Sequence, residues 1–97
     1  MSAYRIETTR ITKGRASREA FEARDREGAI CLAAAQLTDY MGKGVADRAR
    51  AAEISARATF ERAERYADTE PAGHATASTT HGVRNNSIRV AVRVLHG

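Results

Sequence analysis

Apolar and polar positions alternate strictly near both ends of the chain, which is typical of half-buried β-strands. In residues 3–11, one side carries Tyr4, Ile6 and Thr8, and the other carries Arg5, Glu7 and Thr9. A polar turn follows at residues 12–15, where Gly14 supplies backbone freedom. The pattern predicts an amino-terminal strand with one face in the core.

Residues 16–24 allow two interpretations. As a strand, they would point Phe21 and Ala23 inward and close a hairpin with residues 3–11. As a helix, they would begin at Ser17 and continue into the next element, which their Glu and Ala content favours. We adopt the hairpin, because Gly14 suits a tight turn, and we keep the helix as the alternative.

Helical spacing begins at Asp25, a residue type that caps helix N-termini well. The apolar residues that follow recur at intervals of three and four, and they share one helical face: Ile30, Ala33, Ala34, Leu37 and Met41. Gly42 and Gly44 are expected to end this first helix.

A second helix is expected from about Val45 to Ala67. A narrow alanine-rich stripe runs along it and consists of Val45, Ala49, Ala52, Ala56, Phe60, Ala63 and Ala67. Such small residues let a helix pack closely on its neighbour. Pro71 and Gly73 are expected to mark the exit, and the early part of residues 68–80 to form a small, polar linker.

The carboxy-terminal segment has the clearest strand pattern. Ile88, Val90, Val92 and Val94 alternate with Arg89, Ala91, Arg93 and Leu95. Asn85-Asn86 suits a two-residue type I′ turn, because asparagine tolerates positive φ angles. That turn would pair Val83 with Ile88, His81 with Val90, Thr79 with Val92 and Ala77 with Val94.

Together these elements predict a single α+β domain over residues 1–97, in the order β-(β)-α-α-β-β. The fold would be a two-layer sandwich, with an antiparallel sheet of three or four strands and two helices on one face. The other face of the sheet would be polar and open to solvent.

Charge divides along the same line as the predicted elements. Residues 1–18 hold five basic residues against Glu7, residues 84–97 hold three arginines and no acid, and residues 19–83 hold eight basic and eleven acidic residues. A basic sheet face favours an acidic partner, although an ordinary solvated surface is the alternative. We predict a partner-binding set of Arg5, Lys13, Arg15, Arg18, Arg84, Arg89 and Arg93.

Residues with reactive or metal-binding side chains are few and scattered. The histidines are His74, His81 and His96, and His81 is expected at the core or rim of the carboxy-terminal hairpin. Cys31 adjoins Ile30 on an apolar helix, which predicts a buried thiol. We therefore expect a non-enzymatic protein with no cofactor and no metal site.

Gly42-Lys43-Gly44 lacks the strand and the spacing of a phosphate-binding P-loop. A turn between helices is the better interpretation, although Lys43 and the free amides of the second helix could hold an anion.

Composition favours a cytoplasmic location. The single cysteine excludes an intrachain disulfide, and no apolar amino-terminal run predicts a signal peptide. The longest apolar run, residues 29–35, is far shorter than the roughly 20 residues of a membrane span. With only 5% aromatic residues the core is built from small side chains, which makes a stabilising homodimer a further expectation.

These features favour a non-enzymatic protein that occludes a site on a larger protein or complex. The partner would present an acidic surface or belong to a nucleic-acid-handling complex. In type, though not in any residue motif, the chain resembles the small proteins with which phages block host defence, such as anti-CRISPR proteins. The alternative is a basic nucleic-acid-binding or regulatory module, whose affinity would fall steeply with salt.

Overall fold

The computed structural model describes residues 3–69 and 76–95. Its elements are β1 (Ala3–Thr12), β2 (Arg15–Ala23), α1 (Arg26–Thr38), α2 (Arg48–Thr69), β3 (Thr76–Val83) and β4 (Asn86–Leu95). The strands form one antiparallel sheet in the order β2-β1-β4-β3. The predicted α+β sandwich is confirmed, and residues 16–24 belong to a strand hairpin rather than to a helix.

The core lies between the helices and one face of the sheet. Its sheet side is formed by Tyr4, Ile6, Thr8, Ala77, Ile88, Val90, Val92 and Val94, all of which are buried. The predicted face of α1 is buried, as are Ala52, Ala56, Phe60 and Ala63 of the predicted stripe on α2. The ring centroids of Phe60 and Tyr4 lie 5.4 Å apart, which joins the helical layer to β1.

The connection between the two helices is longer than the sequence predicted. α1 ends at Thr38, before Gly42, and α2 begins at Arg48 rather than at Val45. Asp47 caps α2, because its Oδ1 accepts a 3.0 Å hydrogen bond from the backbone N–H of Arg50. Val45, which precedes α2, and Ala49, in its first turn, are both exposed and do not belong to the buried stripe. The predictions for Pro71 and Gly73 lie outside the described residues.

The turn between β3 and β4 was predicted wrongly. Its two residues are Arg84 and Asn85, so His81 pairs with Ile88 rather than with Val90. Neither Asn85 nor Asn86 has a positive φ; among the described residues Lys13 (52°), Gly14 (79°) and Gly82 (106°) do. Because the register is shifted by two residues, every side chain keeps its predicted face.

Gly82 accounts for this register. It opposes Ser87 on β4, and a Cβ added to it would lie 2.4 Å from the backbone oxygen of Asn86. Since no real Cβ tolerates so short a contact, only glycine lets the two backbones approach here. The type I′ turn is found instead in the β1–β2 hairpin, at Lys13 and Gly14.

An ion-pair cluster joins α1, α2 and β1. Arg26 donates two hydrogen bonds to Glu64, from Nε to Oε2 at 2.7 Å and from Nη2 to Oε1 at 3.0 Å. The Tyr4 hydroxyl donates to the same carboxylate at 2.6 Å. The hydrogen bond from Arg26 lowers the pKa of Glu64 below its usual range, while burial and the bond to Glu64 raise the pKa of Tyr4 to about 12.

A second ion pair links the helices at their outer side. Arg57 of α2 donates from both terminal nitrogens to Glu27 of α1, at 3.0 and 3.1 Å. These bonds lower the pKa of Glu27. Neither helix, over its described residues, is long and apolar enough to cross a membrane.

Candidate binding site on the open face of the sheet

The register of the sheet defines its open face, which is the face away from the helices. Side chains of odd-numbered residues in β1 and β4 and of even-numbered residues in β2 and β3 point to it, because side chains alternate along a strand. The charged residues on this open face are Arg5, Glu7, Arg18, Glu22, Arg89 and Arg93. Four of the seven predicted binding residues are therefore brought together, with two acidic residues among them.

Arg5 and Arg93 are directly opposite each other across the central strands β1 and β4. Cross-strand partners have Cα atoms about 5 Å apart, and like charges in such positions repel each other. Glu7 offsets part of this charge, because its Oε1 accepts a 3.3 Å hydrogen bond from Arg5 Nε. Glu22 lies farther away, at 3.9 Å from Arg5. Arg5 is thus compensated within the chain.

Arg93 is not compensated in the same way. Its Nε is buried and has no hydrogen-bond partner among the described residues. A buried donor without an acceptor costs on the order of 1–3 kcal/mol, and more when the group is charged. The side chain borders a pocket of about 50 Å³ that Arg5, Glu7 and Thr76 also line. Within the described part of the chain, the Arg93 guanidinium therefore does not use all of its hydrogen-bond donors.

Arg18 and Arg89 flank a broader depression on the same face. Both pair with Thr9 of β1, from opposite sides, so their Cα atoms lie about 10 Å apart across two strand spacings. The depression has a volume of about 370 Å³ and is open to solvent. Along β4, Arg89 and Arg93 are four residues apart, or about 13 Å, and point the same way.

The remaining predicted residues lie at one end of the sheet. Lys13 and Arg15 belong to the β1–β2 turn, and Arg84 to the β3–β4 turn, and both turns are at the same end because Thr12 pairs with Arg15 and with Asn86. All three side chains are exposed. They extend the basic surface at its rim and do not join the central group.

The neutral residues of the open face are small or aliphatic. The positions between the arginines carry Thr9, Ala20, Thr76, Ser78, Thr80, Ser87 and Ala91. Its described positions include no aromatic side chain. The face is therefore flat and charged, without a platform on which a base could stack.

The helix-covered side holds one polar cluster that the sequence did not predict. His81 Nε2 lies 2.8 Å from Ser55 Oγ and 3.0 Å from Thr79 Oγ1, and the two hydroxyl oxygens are 3.2 Å apart. His81 is half-buried at the rim of the core, as the hairpin pattern indicated. The contacts join α2 to the edge strand β3 and give a structural reason for a histidine at this position.

The prediction of a buried thiol at Cys31 was wrong, because its side chain is exposed. Ile30 faces the core, and the next residue on a helix lies about 100° further round. Within residues 3–69 and 76–95, no three His, Cys, Asp or Glu side chains converge as a metal site would require. His74 and His96 lie outside the described residues.

No protein-family model, no curated protein and no solved structure matches this chain. The function of the protein is therefore inferred from the geometry of the open face.

Proposed function

We propose that this protein is a non-enzymatic binder that occludes a site on a larger protein by placing the open face of its sheet against an acidic surface. The observation that supports this most is the arrangement at Arg93, where two arginines are directly opposed and one buried guanidinium nitrogen has no acceptor among residues 3–69 and 76–95. A carboxylate from a partner would offset the positive charge of the opposed pair and accept a hydrogen bond from the Nε–H of Arg93 once that side chain turns outward, since arginine and carboxylate form strong, charge-assisted pairs.

The rest of the open face supports a protein partner. Arg18 and Arg89 bring further positive charge to the same plane, and arginine is enriched at protein interfaces whereas lysine is depleted. The molecule measures 38 × 28 × 20 Å, so its broad side provides the roughly 800 Å² per partner that a stable interface uses. The proposal extends to a phage-type inhibitor of host defence, which is anti-CRISPR-like by analogy of type only.

A basic nucleic-acid-binding or regulatory module is the second candidate. The observation in its favour is that Lys13, Arg15 and Arg84 extend the basic surface around one end of the sheet. A sheet that binds single strands uses aromatic stacking platforms, and the described open face has none. Contacts to phosphates alone would give weak binding that is insensitive to sequence and strongly dependent on salt.

The test compares two double variants, one on the open face of the sheet and one on α2. Arg89→Glu with Arg93→Glu reverses charge on the open face, and Arg48→Glu with Arg50→Glu makes the same change on exposed positions of α2. Each protein captures partners from a bacterial lysate with and without nuclease treatment. We expect the wild type and the α2 variant to retain a protein partner after nuclease treatment, and the open-face variant to lose it.

The melting temperature serves as the control for folding. A glutamate at position 93 would face Arg5 and replace a repulsive pair with an attractive one, so the open-face variant should be at least as stable as the wild type. Undiminished capture by this variant would contradict the proposal and direct attention to the helical layer. Capture that disappears with nuclease treatment would support the nucleic-acid candidate instead.

A further inference from the structure

The two edges of the sheet differ in how they are protected. β2 and β3 are the edge strands of the described sheet, and each has a row of backbone groups that no strand within residues 3–69 and 76–95 pairs. β2 carries Arg15, Arg18, Glu19 and Glu22, and charged residues of this kind discourage pairing with another chain. β3 runs from Thr76 to Val83 without a charged residue or a proline. By composition, β3 is an edge that another strand can join.

The hairpin turn shows which backbone groups of β3 face outward. In a two-residue turn the flanking residues, here Val83 and Asn86, form a hydrogen-bonded pair. Residues alternate from there, so the amide and carbonyl groups of Ser78 and Thr80 point away from β4. The structure agrees at Ser78, whose backbone oxygen accepts a 2.7 Å hydrogen bond from Arg62 Nη2 of α2.

Helix α2 brings apolar surface to the same edge. Ser55 and Arg62 both contact β3, and Tyr66 lies one turn beyond Arg62 on that flank. Tyr66 is 44% exposed, and Ala58, one turn before Arg62, is also exposed. An approaching strand would therefore meet the outward amide and carbonyl of Thr80, a Ser78 carbonyl that already accepts a bond from Arg62, and a helix flank that is apolar on either side of Arg62.

We propose that β3 pairs with the β3 strand of a second copy of this chain, in antiparallel orientation about a two-fold axis beside Thr80. A second copy fits this edge because the strand itself is uncharged, so that its pairing with its own copy opposes no like charges. The guanidinium groups of Arg62, bonded to Ser78 in each copy, lie on opposite sides of an axis beside Thr80. Threonine opposite threonine is a favourable cross-strand pair. The same axis sets the two α2 flanks, with Ala58 and Tyr66, against each other above the joint.

Such a dimer has one continuous sheet of eight strands, four from each copy. A two-fold axis perpendicular to the sheet keeps both open faces on the same side, so the arginines of the two copies form one surface. Formation of this dimer does not depend on which partner that surface binds. The dimer presents two copies of the basic site in one plane.

The test uses two proline variants at equivalent places on the two edges. Thr80 and Ala20 are both exposed, have side chains on the open face, and have outward-pointing backbone N–H groups. Proline removes an edge donor at either place without removing a bond inside the sheet. Sedimentation velocity from low to high micromolar concentration should show a dimer for the wild type and for Ala20→Pro. Thr80→Pro should weaken the association by about tenfold or more.

A second pair of variants keeps the test independent of proline strain. Thr80→Glu sets two carboxylates beside the axis in a dimer but pairs with Arg89 within one copy, and Thr80→Gln is its uncharged equivalent. We expect Thr80→Glu to be monomeric and Thr80→Gln to dimerise. A wild type that is monomeric at high micromolar concentration would overturn the proposal. So would a Thr80→Glu variant that dimerises as the wild type does.

Discussion

The two hairpins of this sheet are built in different ways. β1–β2 turns through Lys13 and Gly14, both with positive φ, and its edge strand is charged and mostly exposed. β3–β4 turns through Arg84 and Asn85 without positive φ, and its close approach is made at Gly82. Its edge strand is uncharged and held under α2 through Ser55 and Arg62. The first hairpin is specified by local turn chemistry and the second by contact with a helix.

The dependence of the second hairpin on α2 gives the largest expected effect. Ala56 lies on the buried side of α2, and Ala56→Glu would force a charge into the packed seam and destabilise the protein by about 3–5 kcal/mol. Ala49→Glu makes the same change at an exposed position of the same helix and should cost less than about 0.5 kcal/mol. Urea unfolding of both variants measures the difference. Similar free energies of unfolding would mean that α2 does not hold the sheet through this seam.

The two positive-φ glycines should also differ in sensitivity to substitution. Gly82→Ala combines a strained φ with a Cβ 2.4 Å from the Asn86 oxygen, and should destabilise the protein by about 2–4 kcal/mol. Gly14→Ala meets no atom within 4 Å, so only the φ penalty of about 1 kcal/mol remains. Thermal melts distinguish the two. An equal loss at both positions would show that the close approach at Gly82 does not control the second hairpin.

The first hairpin has an ionic connection to the helices that the second lacks over its described residues. Tyr4→Phe removes the hydroxyl bond to Glu64 and should cost about 1–3 kcal/mol near neutral pH. The folded-state pKa of Tyr4, about 12, lies above its unfolded value of 10, so its contribution is complete below pH 10. That contribution is lost as pH rises from 10 to about 12.

The pH dependence of the free energy of unfolding tests the Tyr4–Glu64 contact at both acid and alkaline pH. The pKa of Glu64 is lowered by Arg26, so its stabilisation is present above the unfolded carboxyl pKa and is lost as pH falls below it. Tyr4→Phe should keep this acid-side loss while its stability between pH 10 and 12 falls less than that of the wild type. Identical alkaline profiles for the two proteins would contradict the coupling of Tyr4 to Glu64.

The smallest expected effect distinguishes the two turns themselves. Lys13→Asn creates Asn-Gly, the favoured pair for a type I′ turn, and should stabilise the protein by about 0.5 kcal/mol. Asn85→Gly should bring no gain, because Asn85 does not have a positive φ. Differential scanning fluorimetry with replicates resolves such shifts. A gain at Asn85 and none at Lys13 would reverse the assignment of turn types.

The candidate site was only partly predictable from the sequence. Alternation along each strand placed Arg5, Arg18, Arg89 and Arg93 on the open face, because the two-residue period depends on chain geometry alone. The direct opposition of Arg5 and Arg93 was not predictable. It depends on the register between β1 and β4, which are separated by about eighty residues of sequence and share no turn that would set it.

Some local signals predicted contacts that the structure does not make. Asn85-Asn86 has the composition of a type I′ turn, yet the close approach at Gly82 places the turn one residue earlier. The spacing of Arg57 and Glu61 suggests support within one helix, whereas Arg57 bonds to Glu27 of the other helix. The Arg62 bond to the edge of β3 has no sequence signature, since it joins a half-buried helix position to a backbone oxygen.

The sequence by itself determined the order of the elements, the inward face of each strand and most of the buried helix stripe. These properties follow from periods of two and 3.6 residues and from caps and glycines, all of which act over a few neighbouring positions. Tertiary structure alone decided the strand order, the registers, the burial of the Arg93 Nε away from any acceptor in the described residues, and the contrast between the two edges. Those depend on pairings between residues far apart in the chain, whose energies are gained only when the whole sheet is assembled.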